Sequence, residues 1–339
     1  MDIEPVRTGI LGYGHYIRTN FARHLKRCSS LDILGVYNRG EERRKQAEDD
    51  GYFATSNLDE LLNLPGLEAV VIGTANVAHR EQAVKAADAG KHILCEKPIA
   101  LCLEDAEEMT EAAERNGVIT HVNHGSVYSP RYAKLKDVIE EYAGDILHMY
   151  SRGSRTFGLW VQGARHGAVA DPEKSGGWTF HHMCHQLNEV CVILGTDITQ
   201  VYHISQKSCE EAPSEEIVNS FLHFRNGATA HITDTTSLGA FEDIIVQGTE
   251  ADIRLCSDEI TVTLPGPTDA GGRPGNLGRN VKSFKAEGEG KGHEETGHRF
   301  ARAVRGGKNE LLSFAFIKDQ YRILAAMKKS AESGEAVRL

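Results

Sequence analysis

No apolar run in this 339-residue sequence approaches the length of a membrane span, so no membrane partner is expected. Excess basic charge is lacking too. The formal net charge is -10, which argues against nucleic acid as the main partner. No Cys-x-x-Cys occurs. The seven cysteines, Cys28, Cys95, Cys102, Cys184, Cys191, Cys209 and Cys256, are scattered and odd in number. That pattern fits a reduced, cytoplasmic protein with buried thiols better than a disulfide framework or a cysteine-rich zinc site. The start, Met-Asp-Ile-Glu-Pro, is acidic and leads straight into a strand pattern, so no secretory leader is expected.

What is present alternates. Val6 to Leu11 is a short apolar strand, followed by Gly12-Tyr13-Gly14 and a helical recurrence of Ile17, Phe21 and Leu25. Strand, glycine turn and helix open a dinucleotide-binding unit. The first glycine permits the turn, and the second lets backbone approach a pyrophosphate at a helix N-terminus. A third glycine is expected at position 17, where Ile17 stands. Two glycines alone also serve ordinary strand-helix turns. Leu31 to Tyr37 is a second strand ending at Asn38-Arg39, where an acid would bind the ribose hydroxyls of NAD. The acid is absent, and Arg39, Arg43 or Arg44 can pair with a 2′-phosphate, so the pattern favours NADP over NAD. The same arginines also suit a solvated face.

Further strands at Ala69 to Gly73, Lys91 to Leu94 and Val118 to Val122 alternate with helices at Leu58 to Leu62, His79 to Ala89 and Leu103 to Asn116. This alternation predicts a doubly wound parallel sheet. Lys91-His92-Ile93-Leu94 runs into Cys95-Glu96-Lys97-Pro98, placing a lysine at a strand's carboxyl end, where open α/β sheets hold ligands. Glu96 with Lys97 is either a structural ion pair or a working pair.

Beyond Gly144 the chain changes character. Seven candidate strands run between Ile146 and Leu264, with Asn226-Gly227 as a hairpin turn, and predict an antiparallel sheet. Pro265 to Gly292 reads as one long glycine-rich loop, followed by helices at Glu294 to Arg305 and Phe314 to Ser333.

Gly176-Gly177 precedes three histidines, His181, His182 and His185. On one continuous helix, His181 and His185 share a face and His182 points elsewhere. Three roles stay open for them: packing, a His-x-x-x-His metal site with no acid to complete it, and acid/base catalysis. Arg152 to Ser175, with Arg152, Arg155, Trp160, Gln162, Arg165 and His166, is either a surface loop or a source of contacts to a polyhydroxylated ligand.

Together, Gly12-Tyr13-Gly14, Thr74-Ala75-Asn76 with His79, Ala89 through Pro98, Asn123, and Ser129-Pro130 with Tyr132 resemble the glucose-fructose oxidoreductase / inositol dehydrogenase / rhizopine-catabolism (Gfo/Idh/MocA) family along essentially the whole chain. Relatives usually read Thr-Pro-Asn where this chain has Thr-Ala-Asn. They carry Asp where it has His181, and often Asp where it has Asn188.

The resemblance implies a Rossmann domain over residues 1–123 and a substrate-binding and oligomerisation α+β domain over 124–339, with an open, mainly antiparallel sheet that packs against another subunit in a homodimer or homotetramer. It implies hydride transfer between NAD(P) and a secondary alcohol or ketone of a sugar, sugar derivative or cyclitol. Lys97 and His185 are the implied catalytic residues, with His181 assisting. The implied cofactor contacts are Gly12 to Ile17 (with His15 and Tyr16), Asn38, Arg39, Arg43, Thr74, Ala75, Asn76, His79, Glu96, Lys97 and Asn123. Lys97, His124, Arg152, Arg155, Trp160, Arg165, His181, His182 and His185 are the implied substrate contacts, and no metal is required. Some relatives cleave glycosides by transient oxidation and elimination, and a dinucleotide-binding regulator shares the fold, so both remain as alternatives.

Overall fold

A computed structural model describes residues 3–21, 28–155, 171–207, 210, 212, 214–236, 241–266, 280–286, 292–308 and 310–339. The chain divides into two compact units, Met1–Tyr128 with Lys291–Tyr321, and Ser129–Gly290 with Arg322–Leu339.

In the first unit, strands β1 (Val6–Leu11), β2 (Leu31–Tyr37), β3 (Phe53–Thr55), β4 (Ala69–Ile72), β5 (His92–Glu96) and β6 (Thr120–Asn123) form a parallel sheet in the order β3-β2-β1-β4-β5-β6. This is the doubly wound order whose direction switches between β1 and β4. Every residue of β4 is buried, as expected of a strand covered on both faces. Helices α1 (Glu41–Asp49), α2 (Leu58–Leu62), α3 (His79–Asp88) and α4 (Leu103–Arg115) alternate with the strands. Asn57 caps α2, its side chain accepting from the backbone N–H of Asp59 and Glu60. The expected helix after the glycine turn is a π-helix over Ile17–Phe21, and Leu25 lies outside the described residues.

The second unit opens with α5 (Pro130–Tyr142), where Pro130 stands in the first turn and Ser129 caps the Tyr132 N–H. Its sheet holds β7 (Ile146–Arg155), β8 (Ile198–Gln206), β9 (Ile217–Phe224), β10 (Thr229–Thr236), β11 (Phe241–Gly248), β12 (Asp252–Cys256), β13 (Glu259–Leu264), β14 (Asn280–Lys285) and β15 (Val337–Arg338). The order is β14-β13-β12-β11-β7-β10-β9-β8-β15, antiparallel except for the β7/β10 pair. Gly227, at φ 90°, turns β9 into β10 as the Asn-Gly signal predicts.

Pro265 to Gly292 is not a single loop. Asn280–Lys285 pairs antiparallel with β13, because the neighbouring strand supplies the hydrogen bonds that the segment's own sequence does not advertise. Residues 267–279 and 287–291 lie outside the described residues. Short helices α6 (Pro172–Ser175), α7 (Gly177–His181) and α8 (Met183–Leu194) carry the histidines.

The chain then returns through α9 (His293–Val304), whose Phe300 and Ala301 join Val6, Ile10, Val36, Val71 and Leu94 in the core of the first unit. The final helix is α10 (Phe314–Ser333). Among the described residues no helix is long and apolar enough to cross a membrane.

Candidate active site

The glycine turn sits at the carboxyl end of β1. Gly12 has φ 92°, and a Cβ there would meet the Gly73 carbonyl oxygen and the Thr74 nitrogen at 2.8 Å. Only glycine fits so close to the end of β4. A Cβ at Gly14 would meet nothing within 4 Å, so the turn faces open space. An open glycine turn at the switch point suits a dinucleotide pyrophosphate.

The missing third glycine has a local explanation. Ile17 is buried, and a Cβ on Gly73 would lie 2.2 Å from its Cδ1. Ile17 therefore occupies the space that Gly73 leaves. Tyr13 is also buried, and its hydroxyl donates to Asp50 Oδ2 at 2.9 Å, beside the Arg18 guanidinium, which bonds both Asp50 oxygens. Contacts from Tyr13 or Ile17 to a cofactor are thus left to their backbone. His15 and Tyr16 are exposed.

At the end of β2, Asn38 Oδ1 accepts from the Gly40 N–H. Arg44 donates to the carbonyls of Asn38 and Arg39, and Arg43 donates to Gln46. Arg39 is exposed.

Thr74 follows β4, and its hydroxyl donates to Gln82 at 2.7 Å, while Ala75 is exposed and Asn76 half-buried. His79 is fully buried, with Nδ1 3.1 Å from the Pro98 carbonyl oxygen and Nε2 3.1 Å from that of Thr74. Burial pushes its pKa down, against the pull of the carbonyls. His79 therefore holds two loops rather than presenting a ring to a cofactor.

Glu96 ends β5 and is buried. Asn123, at the end of β6, donates to its Oε1 at 2.6 Å. Burial raises the Glu96 carboxyl to about 7, against the Asn123 bond, the Lys97 charge and the Lys97 N–H. Lys97 is half-buried beside it. His124 is buried, and burial, then the charges of Lys97 and His121, lower it to about 3. A neutral imidazole there can exchange hydrogen bonds without competing for positive charge.

Asn123 Oδ1 lies 3.2 Å from His293 Nδ1, and His293 Nε2 lies 3.5 Å from the Tyr16 hydroxyl. His293 escapes sequence reasoning because it sits 170 positions beyond Asn123, with only a helix start to mark it.

In the second unit, the histidines do not lie on one continuous helix. The helical run breaks at His182, with φ −112° and ψ −51°, so His181 ends α7 and His185 lies in the first turn of α8. At the break His182 is buried, with its ring 4.0 Å from that of Trp178. The rings of His181 and His182 meet edge-on at 4.8 Å. His181 and His185 are half-buried, and the His185 N–H donates to the His182 carbonyl. Glu215 anchors the Gly176-Gly177 turn by accepting from both the backbone N–H and the hydroxyl of Thr179. Among the described residues no group of three His, Cys, Asp or Glu could hold a metal ion.

Arg152 is exposed on β7. The Arg155 side chain, Trp160, Gln162, Arg165 and His166 lie outside the described residues.

Comparison with known proteins agrees with this architecture. Residues 6–124 match the model of an oxidoreductase family with an NAD-binding Rossmann fold, and residues 132–254 match a GFO/IDH/MocA C-terminal domain. A 1,5-anhydro-D-fructose reductase of Ensifer adhaerens is 30% identical over 237 residues, 67% of this chain and 69% of that protein. A 2,7-anhydro-N-acetylneuraminate hydratase of Mediterraneibacter gnavus is 31% identical over 57% of this chain and 50% of the hydratase. The chain thus spans about half the length of some curated relatives it matches. An oxidoreductase from Agrobacterium radiobacter, solved with NAD+, L-tartaric acid and magnesium, shares the fold at TM-score 0.84 and 21% identity, covering 98% of each chain.

Proposed function

Because the chain belongs to the GFO/IDH/MocA oxidoreductase family, we propose that it is an NAD(P)-dependent dehydrogenase or reductase acting on a CH–OH group of a sugar, sugar derivative or cyclitol. The observation that carries this reading is Lys97, placed at the carboxyl end of β5 directly after a buried glutamate, on a sheet whose first turn is open at Gly14.

The nicotinamide, when bound, supplies or accepts the hydride. The backbone of Gly12 and Gly14 and the exposed Tyr16 are assigned to hold the dinucleotide. Lys97 stabilises negative charge that develops on the substrate oxygen. His185 is assigned proton exchange with the substrate, the general acid/base role that imidazole most often fills. His181 positions the hydroxyl. His182 packs on Trp178 and meets the His181 ring edge-on, and so supports His181.

Of the two cofactors, NADP is favoured. Arg44 is taken up by carbonyls and Arg43 by Gln46, whereas Arg39 is exposed at the strand end where no acid repels a 2′-phosphate. The cytoplasm is the proposed location, because the seven cysteines are scattered, odd in number and contain no Cys-x-x-Cys.

We also propose a homodimer or homotetramer built on the open sheet face. Tyr202, Phe221, His231, Tyr150 and Ile245 stand in register across five strands. Phe221 is 43% exposed and stacked on His231. A second copy would cover this row.

The test is reduction of NAD and NADP, followed by absorbance, against sugars, sugar acids, glycosides and cyclitols, with Lys97→Ala as control. Reduction that the control abolishes supports a dehydrogenase. Release of sugar from a glycoside without net reduction supports transient oxidation with elimination, the second reading, which the similarity to a hydratase favours.

A further inference from the structure

Four side chains of the first unit form a line that begins at the glycine turn and ends on Glu96. Its polarity can be read from one fixed point. Asn123 gives its Nδ2–H to Glu96 Oε1, so its Oδ1 is an acceptor. The group facing that oxygen at 3.2 Å is His293 Nδ1, which must therefore carry a proton. In the neutral imidazole Nε2 is then bare and can accept from the Tyr16 hydroxyl at 3.5 Å. Each donor points toward Glu96. Asn123 is buried, and His293 opens α9, so the helix that returns to this unit delivers the imidazole to the end of β6.

We propose that His293 is a positioning residue of the reaction: donating through Asn123, it favours the charged form of Glu96 and fixes the carboxylate beside Lys97. The proposal rests on the reading that Glu96 and Lys97 serve the reaction. The chemistry is that of a polarised hydrogen-bond chain, in which a donor on the amide oxygen strengthens the amide's own N–H toward the carboxylate. A charged Glu96 gives the Lys97 ammonium a counter-charge at fixed distance. The groups that also bear on Glu96 are Lys97, Tyr16 and Cys95, and those next to His293 are Tyr16, Glu294 and Glu295. Only Lys97 and the Asn123 line favour the charged carboxyl; burial opposes it.

The test compares His293→Leu, which removes the donor, with His293→Asn, whose side-chain N–H can replace Nδ1–H. Infrared titration of the full chain, with Glu96→Gln subtracted, reads the Glu96 carboxyl without substrate. The leucine variant is expected to raise its midpoint by about one pH unit, and the asparagine variant to restore it. In a dehydrogenase assay the acid limb of kcat/KM should move by the same amount. An unmoved midpoint in the leucine variant, or an equal rise in both variants, overturns the proposal. Nitrogen-15 NMR of histidine-labelled parent protein gives a check that needs no variant to fold. A His293 protonated at Nδ1 supports the proposal, and one protonated only at Nε2 overturns it. Neither spectroscopic readout uses substrate, so inactivity of the parent would sink the functional reading and leave this one decided separately.

Discussion

The imidazole of His79 reaches from the start of α3 to the carbonyl of Pro98, the residue that follows Lys97. Its other nitrogen faces the carbonyl of Thr74, at the end of β4. One buried ring thus spans the two loops at the carboxyl ends of β4 and β5. With its pKa lowered by burial the ring has one N–H to give, so replacing it with leucine deprives one of the two buried carbonyls of its donor. His79→Leu should cost about 2 kcal/mol of unfolding free energy in urea titration. If Lys97 acts on the substrate, kcat should fall about tenfold or more while KM changes less, because the tether fixes the reacting group. A variant of parental stability and parental kcat would refute the tether.

Gly12→Ala should damage the glycine turn. The added methyl carbon meets the Gly73 oxygen and Thr74 nitrogen at 2.8 Å, and both are backbone atoms that cannot swing aside. The φ of 92° adds strain for any residue with a Cβ. A loss of about 3 kcal/mol is expected, together with loss of dinucleotide binding by fluorescence titration. Gly14→Ala, which meets nothing within 4 Å, is the control and should fold normally while weakening the dinucleotide.

Most of the first sheet could be read from the chain because its signal is local. Val6–Leu11, Leu31–Tyr37 and Ala69–Ile72 are apolar runs bounded by glycine or polar residues. Elements without a local signal were missed. The helix at Glu41–Asp49 buries only Ala47 and shows no apolar period. The strand Asn280–Lys285 has almost no buried face and exists through pairing to β13. The break at His182 is a backbone feature, φ −112° and ψ −51°, that a spacing of four cannot reveal. Spacing along the chain named Glu96, Lys97 and Asn123, but only the fold brings His293 to them.

Cofactor choice should turn on Arg39. Its backbone carbonyl is bound by Arg44, while its side chain is exposed at the strand end. Arg39→Ala should weaken NADP by about tenfold or more and leave NAD within about twofold, since one charge-assisted contact to phosphate is lost. Parallel binding isotherms with both cofactors read the ratio. Equal losses for both would remove Arg39 from 2′-phosphate recognition.

Glu96 sets charge against burial. Its carboxyl titrates near 4.5 in an unfolded chain and is raised to about 7 here, chiefly by burial. The folded chain therefore holds this proton more tightly than the unfolded chain does. Below about pH 4.5 both forms are protonated and the site is neutral in the balance. Between about 4.5 and 7 the unfolded chain releases the proton first, so stability falls as pH rises. Above about 7 the loss is complete, about 3 kcal/mol at about 1.4 kcal/mol per unit. Glu96→Gln does not titrate, and its amide oxygen can still accept from Asn123. The stability of the variant relative to the parent should therefore rise by about 3 kcal/mol between pH 4 and pH 8, read from urea midpoints along that range. Parallel stability curves for the two proteins would mean that the carboxyl is not raised. A rise in stability accompanied by loss of turnover would show that the charge costs the fold what the reaction needs.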